Sequence, residues 1–453
     1  MRKIPLITLF VALAAGLSSA ADVKPNVILI MADDLGYETI TANGGESYKT
    51  PNLDKLAAEG MRFENCHVQP LCTPTRVQLM TGISNVRNYT HFGHLEPSQT
   101  TFGNLMKNAG YATCITGKWQ LGNGFEGPAH FGFDEYCLWQ LTRRPDRYKN
   151  PGLEINGKVM DYENSEYGPD IVNDYALDFI TKKKAEPFFL YYPMMLTHSP
   201  YDPTPDSADY AEDKKKGKGK EGGHFGDMVA YMDKMVGKVV AKVEENGLRD
   251  RTLILFLGDN GTGKGTPSRF KGSDVKGGKG TTTTWGTHVP LIANWPGKIP
   301  SGKVLPDLID ATDFLPTICE AASVPVPGDL KLDGRSFMSQ LRGEKGTPRE
   351  WLYSWYNPSG GPTAKAEFAH DARFKLYTDG RFLNVETDEM EKQPLADSAL
   401  DAEAKAAKAK LQSALDHFKG PRPEAIAKQG QAFGGEGDDG KKKGKGKVKG
   451  KKK

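Results

Sequence analysis

Three short runs are apolar at consecutive positions rather than at alternate ones: Asn26 to Ala32, Pro187 to Met195 and Thr252 to Leu257. Their length and their β-branched and aromatic content predict strands buried on both faces, as in a parallel sheet. Each run ends in polar residues: Asp33-Asp34-Leu-Gly, Thr197-His198-Ser199-Pro200 and Gly258-Asp259-Asn260-Gly261. Between the runs the apolar period lengthens. Pro51 to Glu59 predicts a helix with Thr50 as N-cap and Pro51 at its first position. Met228, Met232, Met235, Val239 and Val243 recur at helical spacing until Gly247 ends the pattern. That stripe predicts a core-facing helix, not a ligand set. Strand–helix alternation predicts an α/β fold, a large mixed and mostly parallel sheet with helices on both faces.

From about residue 346 the texture changes. Arg373 to Tyr377 and Arg381 to Val385 are β-like, and Asp379-Gly380 between them is a hairpin signal. Ala399 to Phe418 is an Ala/Lys-rich helix whose Leu411 and Leu415 would dock on that sheet. This predicts a small C-terminal subdomain of antiparallel sheet plus helix. With 453 residues, 38% of them hydrophobic, the chain has ample material for a large domain and a smaller one. The divisions expected are a leader at 1–20, a main domain at 21–345, the subdomain at 346–420 and a disordered Lys/Gly-rich tail at 421–453.

The leader is a secretory signal. Arg2 and Lys3 precede the apolar run Ile4 to Leu17, and Ser18-Ser19-Ala20 supplies small residues for cleavage after Ala20. The run is too short for a membrane span, no later segment resembles one, and no Cys near the cleavage site invites a lipid anchor. The mature protein is expected to be exported, periplasmic or secreted. Five cysteines (Cys66, Cys72, Cys114, Cys137, Cys319) are too few and too unevenly spaced for a disulfide framework. An odd number calls for one unpaired or modified thiol, and Cys72 is the candidate.

The net charge of +3 conceals an asymmetry: Lys441 to Lys453 holds nine Lys and no acid, so the remainder is net −6. Such a tail has nothing to bury. Solvation without a specific partner is one reading of it, and contact with a polyanion such as an acidic glycan is the other. No nucleic-acid motif accompanies it. Its heptapeptide Lys-Lys-Lys-Gly-Lys-Gly-Lys recurs at Lys214–Lys220 and reads there as an exposed loop.

In an open α/β sheet, polar groups at the carboxyl ends of strands converge on one crevice. Asp33, Asp34, His198, Asp259 and Asn260 all fall at such ends. Four oxygen side chains, three of them carboxylates, suit a hard divalent cation. Calcium fits best because it accepts many oxygens in loose geometry, with magnesium second.

Between these sites lies Cys72-Thr73-Pro74-Thr75-Arg76, followed by Thr81-Gly82. Read alone, Cys72 is a structural thiol before a helix. The pattern Cys-x-Pro-x-Arg with a following Thr-Gly resembles the signature of the type I sulfatases, formylglycine-dependent enzymes of the alkaline phosphatase superfamily, here of exported bacterial type. Lys118 in Thr-Gly-Lys-Trp-Gln-Leu-Gly resembles a second block of that family. Lys279 in Gly-Gly-Lys-Gly-Thr, running on to Val289-Pro290 and Trp295-Pro296-Gly297, resembles a third. Order and spacing agree from Pro25 to about Glu389.

The resemblance implies an alkaline phosphatase-like fold and a sulfuric ester hydrolase. Cys72 would be oxidised to Cα-formylglycine by a maturation enzyme and hydrated to a gem-diol. One hydroxyl would attack sulfur and the other expel sulfate. Asp33, Asp34, Asp259, Asn260 and residue 72 would hold the metal. Arg76 would orient the formylglycine, and Lys118 and Lys279 would neutralise the transferring group. His198, with Lys279, would protonate the leaving alcohol. Gln120 joins Lys118, His198 and Lys279 around the substrate, expected to be a sulfated carbohydrate because export places the enzyme among such glycans.

Two departures qualify the resemblance. Where the family has Lys-Trp-His-Leu-Gly, this chain has Gln120, which can hydrogen-bond but cannot act as a base. His91, His94 or a water is then expected to replace the missing base, or sulfate release is slow. After Lys279, the family's Tyr, Glu and Arg are replaced within Thr283–Pro290, which predicts altered loop packing, with Trp285 either core filling or, like His288, beside a sugar. The competing functions are a formylglycine-dependent phosphodiesterase or phosphonate monoester hydrolase, and a non-catalytic glycan-binding protein.

Overall fold

The computed structural model describes residues 24–211 and 223–431. The expected leader, the Lys214–Lys220 copy and the Lys-rich end of the tail lie outside the described residues.

The strands of the first half are β1 (Asn26–Ala32), β2 (Met61–His67), β3 (Ala112–Lys118), β4 (Glu135–Trp139), β5 (Gly152–Ile155), β6 (Lys158–Asp161) and β7 (Phe188–Pro193). Those of the second half are β8 (Thr252–Gly258), β9 (Pro267–Phe270), β10 (Ser273–Lys276), β11 (His288–Asn294), β12 (Lys303–Asp310), β13 (Leu352–Tyr356), β14 (Ala366–His370), β15 (Phe374–Tyr377) and β16 (Phe382–Asn384). A ten-stranded sheet runs β12-β2-β11-β8-β1-β7-β3-β4-β5-β6. Its middle, from β8 through β1, β7 and β3 to β4, is wholly parallel. β11 is antiparallel to both neighbours, and β5 and β6 close the far edge as an antiparallel hairpin.

Successive side chains of a strand point to opposite faces, so a run apolar throughout needs cover on both. In β1, Val27, Leu29 and Met31 enter one core, whereas Ile28, Ile30 and Ala32 enter the other. The first core is covered by the helices Cys72–Thr81, Phe102–Asn108 and Phe314–Ala321. The second lies under Pro51–Ala58, Gly168–Lys182 and Phe225–Glu245. The Met228/Met232/Met235/Val239/Val243 stripe is buried there in full. Thr50 sits at the N-cap of Pro51–Ala58 but makes no capping bond. A distant carboxylate supplies the cap instead: buried Asp233 accepts the amides of Asn52 at 3.0 Å and Leu53 at 2.8 Å.

Strands β13 to β16 form a separate antiparallel meander, with the Asp379-Gly380 turn between β15 and β16. The helix Ala402–His417, capped by Asp401 accepting Ala404 N at 2.8 Å, lays Leu411 and Leu415 on it. The meander's Trp355, Phe374 and Leu376 join the first core of the main sheet.

One expectation needs correction. The tail does not begin at Pro421. Arg422 is buried, stacks on Trp355 at 3.9 Å, and donates to the carbonyls of Val86, Asn85, Tyr89 and Gly361. A helical turn follows at Glu424–Ala427, and Gln431 N bonds to Ser359 O at 2.8 Å. Composition hid this because one arginine serving a nest of carbonyls leaves no apolar pattern. All five cysteines are buried, and no disulfide joins any two of them among the described residues. No helix among the described residues is long and apolar enough to cross a membrane.

Candidate active site

Four adjacent parallel strands deliver the polar groups. β8 ends at Asp259 and Asn260, β1 at Asp33 and Asp34, β7 runs into His198, and β3 ends on Lys118. The strand ends are laced together: Asp33 N donates to Leu196 O at 2.8 Å, Thr197 N to Asp33 O at 2.6 Å, and Asp259 N to Ala32 O at 2.9 Å. Asp34 N donates to the Asp259 side chain at 3.0 Å. Asp34 (φ 63°) and Gln120 (φ 55°) both hold left-handed backbone without being glycine. Strain on the order of 1 kcal/mol is thereby maintained at two points that aim side chains into the crevice.

The charges interlock. Lys118 Nζ lies 3.0 and 2.9 Å from the two Asp33 oxygens. Lys279 Nζ reaches both oxygens of Asp34 at 2.8 and 2.9 Å, and His198 Nε2 stands 3.8 Å from Asp34 Oδ2. Arg76 bridges Asp259 Oδ2 at 3.0 Å and Lys118 O at 2.8 Å. Burial alone would raise Asp33, but Lys118, then His198, Arg76 and Lys279, hold it well below the usual carboxylate range. Asp259 goes the other way: burial, then the charge of Asp33, pushes it up to about 7 against Arg76 and Lys118.

A divalent cation fits this donor set. Ligand atoms of Asp33, Cys72 and Asp259 lie within 4.8 Å of one another, as do those of Asp33, Asp34 and His198. Asn260 Nδ2 donates to Asp34 Oδ1 at 2.9 Å, while its Oδ1 is buried without any hydrogen bond. A buried amide oxygen left unpaired is unfavourable unless something electropositive meets it. Hard oxygen donors of this kind match calcium or magnesium.

Cys72 is the first residue of the buried helix Cys72–Thr81. Its Sγ donates to Gln120 Oε1 at 2.7 Å, and Thr73 Oγ1 donates to the same oxygen at 3.2 Å. His94 packs against Gly122, and Gly93 N donates to Thr73 Oγ1 at 3.2 Å, so the 91–94 loop borders the site. His91 and His94 stack at 5.0 Å, and burial, then His91, lowers His94.

The structure thus brings together Asp33, Asp34, Cys72, Arg76, Lys118, Gln120, His198, Lys279, Asp259 and Asn260. Trp285 is buried with its ring edge-on to Phe270. His288 stacks between Tyr37 and His67 and faces Glu64 O at 2.7 Å. Sequence reasoning missed Arg147, 3.6 Å from Asp33 Oδ2, and Tyr148, whose hydroxyl donates to Met195 O at 3.0 Å and to His198 O. It also missed Glu38, buried behind the site and bonded to Thr262 Oγ1 at 2.6 Å, which burial raises to about 6.

Comparison with known proteins adds a second line. The family model described as Sulfatase matches residues 25–324, and the model for the C-terminal part of N-sulphoglucosamine sulphohydrolase matches residues 284–417. Arylsulfatase A of Bos taurus is 35% identical over 382 residues, covering 76% of this chain and 73% of its own. N-acetylgalactosamine-6-sulfatase of Canis lupus familiaris is 33% identical over 383 residues, covering 76% and 71%. Among solved structures, Ps i-CgsB in complex with k-i-k-neocarrahexaose superposes with a TM-score of 0.71 at 28% identity, over 86% of this chain and 92% of that one.

Proposed function

The chain belongs to the sulfatase family and is a sulfuric ester hydrolase, and on that premise we propose that it removes sulfate from a sulfated carbohydrate at residue 72. The observation that carries the reading is the meeting of Cys72 with Asp33 and Asp259 at one point, ringed by Arg76, Lys118 and Lys279. The carbohydrate is supported by two relatives: one is named for a sulfated amino sugar, and the other was solved with an oligosaccharide.

Oxidised to formylglycine and hydrated, residue 72 would supply a diol nucleophile, and Asp33, Asp34, Asp259 and Asn260 would hold a divalent cation, calcium first, that would supply Lewis-acid polarisation. The chain's own residues do the rest. Arg76 ties Asp259 to the end of β3, which fixes a permanent positive charge beneath residue 72. Lys118 and Lys279 present ammonium groups to the negative charge that builds on sulfate oxygens. His198 Nδ1 faces Ser199 O at 2.5 Å, and a carbonyl only accepts, so Nδ1 carries a proton in either charge state. Its Nε2, on the Asp34 side, is then the atom that hands a proton to the departing alcohol, with Lys279 beside it.

Export through the 1–20 leader, maturation by a formylglycine-generating enzyme, and polyanion contact through the Lys-rich tail complete the proposal. The test is mass spectrometry of the residue-72 peptide from native material, paired with sulfate release from sulfated oligosaccharides. Formylglycine lowers the peptide mass by about 18 Da relative to Cys. An unmodified thiol in fully active protein would overturn the mechanism.

A further inference from the structure

Arg147 lies against the same carboxylates as the lysines, with no role yet attached to it. Its side chain is 5% exposed, its guanidinium stacks on the Trp139 ring at 3.9 Å, and Nη1 stands 3.6 Å from Asp33 Oδ2. That separation is beyond hydrogen-bond reach, and Nη1 is buried with no hydrogen-bond partner. A guanidinium cannot shed its charge, so a buried nitrogen without an acceptor is unfavourable unless a ligand supplies one.

The surrounding loop is rigidly made. Trp139 Nε1 donates to Pro145 O at 2.9 Å, and buried Glu154 accepts the amides of Leu141 at 3.1 Å and Thr142 at 3.0 Å. Gly168 N donates to Tyr148 O at 2.7 Å, and a Cβ on Gly168 would stand 2.0 Å from Arg147 O, so only glycine lets the loop seat there. The next residue, Tyr148, grips the carbonyls of Met195 and His198. One loop therefore presents Arg147 and holds the backbone of the proposed proton donor.

Charge balance points the same way. Asp33, Asp34 and Asp259 are already faced by Arg76, Lys118 and Lys279. Arg147 is a further permanent cation here; with Asp202 also feeling its charge the side chains balance, and a divalent cation would bring the excess. An anionic ligand is what such a set takes.

We propose that Arg147 is a sulfate-binding residue of this enzyme, its Nη1 donating to an oxygen of the sulfate group being cleaved. The proposal rests on the site described above. It differs from a structural role, in which Arg147 would only steady Asp33 electrostatically.

The test compares wild type with Arg147→Gln and Arg147→Lys, using 4-nitrophenyl sulfate turnover, calorimetric titration with inorganic sulfate at constant ionic strength, and the metal content of the purified holoenzyme. For Arg147→Gln, KM and the sulfate Kd should each rise about tenfold or more, while kcat changes by less than about threefold and metal content is unchanged; tenfold corresponds to about 1.4 kcal/mol. Arg147→Lys should fall between the two, and it carries the test alone if the Gln variant does not fold. Unchanged KM and sulfate Kd would overturn the proposal, as would loss of bound metal with a matching fall in kcat. Failure of the wild type itself to release sulfate from any ester would instead count against the sulfatase reading of the site.

Discussion

The Cys72 thiol donates a hydrogen bond to Gln120 Oε1 at 2.7 Å, and Thr73 Oγ1 donates to the same oxygen. Gln120 is thus in direct touch with the proposed nucleophile, at the place where related motifs carry histidine. An amide can orient a hydroxyl there but cannot take its proton.

Gln120→His is therefore expected to speed sulfate release. General-base assistance contributes about 10²–10⁴-fold where it is well placed, and a newly installed base should recover a fraction of that, about tenfold in steady-state kcat. The left-handed backbone at residue 120 tolerates histidine better than most residues. Rapid-quench kinetics should show a burst in the wild type and none in the variant. Equal steady-state rates would place the base elsewhere, with His94 the first residue to examine.

Chelation should abolish turnover, with calcium restoring it more fully than magnesium. Asn260→Leu removes the amide oxygen that is buried and unbonded, so it should weaken metal affinity about 10- to 100-fold with the fold intact. Metal content and calcium titration of activity read this directly. A variant that binds calcium as well as the wild type would remove Asn260 from the ligand set.

How much of this was legible beforehand follows from physics. β1 and β8 were legible because both of their faces are apolar, and their terminal acids fall at strand ends that topology brings together. Lys118 closes β3 and Lys279 sits in a loop, but no periodicity singles out either lysine, and only motif resemblance marked them. Arg147 was not legible. It lies in a polar stretch with Arg143 and Arg144, and what distinguishes it is proximity to Asp33, more than a hundred positions away. The short hairpin of β5 and β6 was equally hidden, since four-residue strands leave almost no pattern.

A buried histidine group gives a stability prediction. His67 stacks on His288 at 4.8 Å and meets His370 edge-on at 4.6 Å, where β2 and β11 face β14. Burial, then the neighbouring Lys375, depresses His370 to about 3, and burial depresses His67 as well. A histidine depressed in the folded state stabilises above its unfolded value of about 6.5, and that contribution is lost as pH falls below it. For His370 alone the loss at pH 5 is about 2 kcal/mol. Glu38, Asp259 and Asp310, raised by burial, act with the opposite sign between about pH 4 and 7, so the readout is the difference between wild type and variant. His370→Gln should cost stability at pH 7.5 and less, or none, at pH 5. An equal Tm decrement at both pH values would show that His370 does not sense acid.

The last prediction separates folding from chemistry. Asp233, 1% exposed in the helix Phe225–Glu245, accepts Asn52 N, Leu53 N and Asn52 Nδ2 at the start of Pro51–Ala58. The Thr50 side chain is turned instead to Thr41 and Asp54. Asp233→Ala strips three donors of their acceptor in a buried setting, which should destabilise the protein by about 2–3 kcal/mol. Asp233→Asn keeps one acceptor oxygen and should lose roughly half as much. Neither change touches a residue of the proposed active site, so kcat/KM at 25 °C should stay within about twofold while the denaturation midpoint falls. A fall in kcat/KM without a fall in midpoint would mean that the helix Pro51–Ala58 positions the site rather than merely packing beneath the sheet.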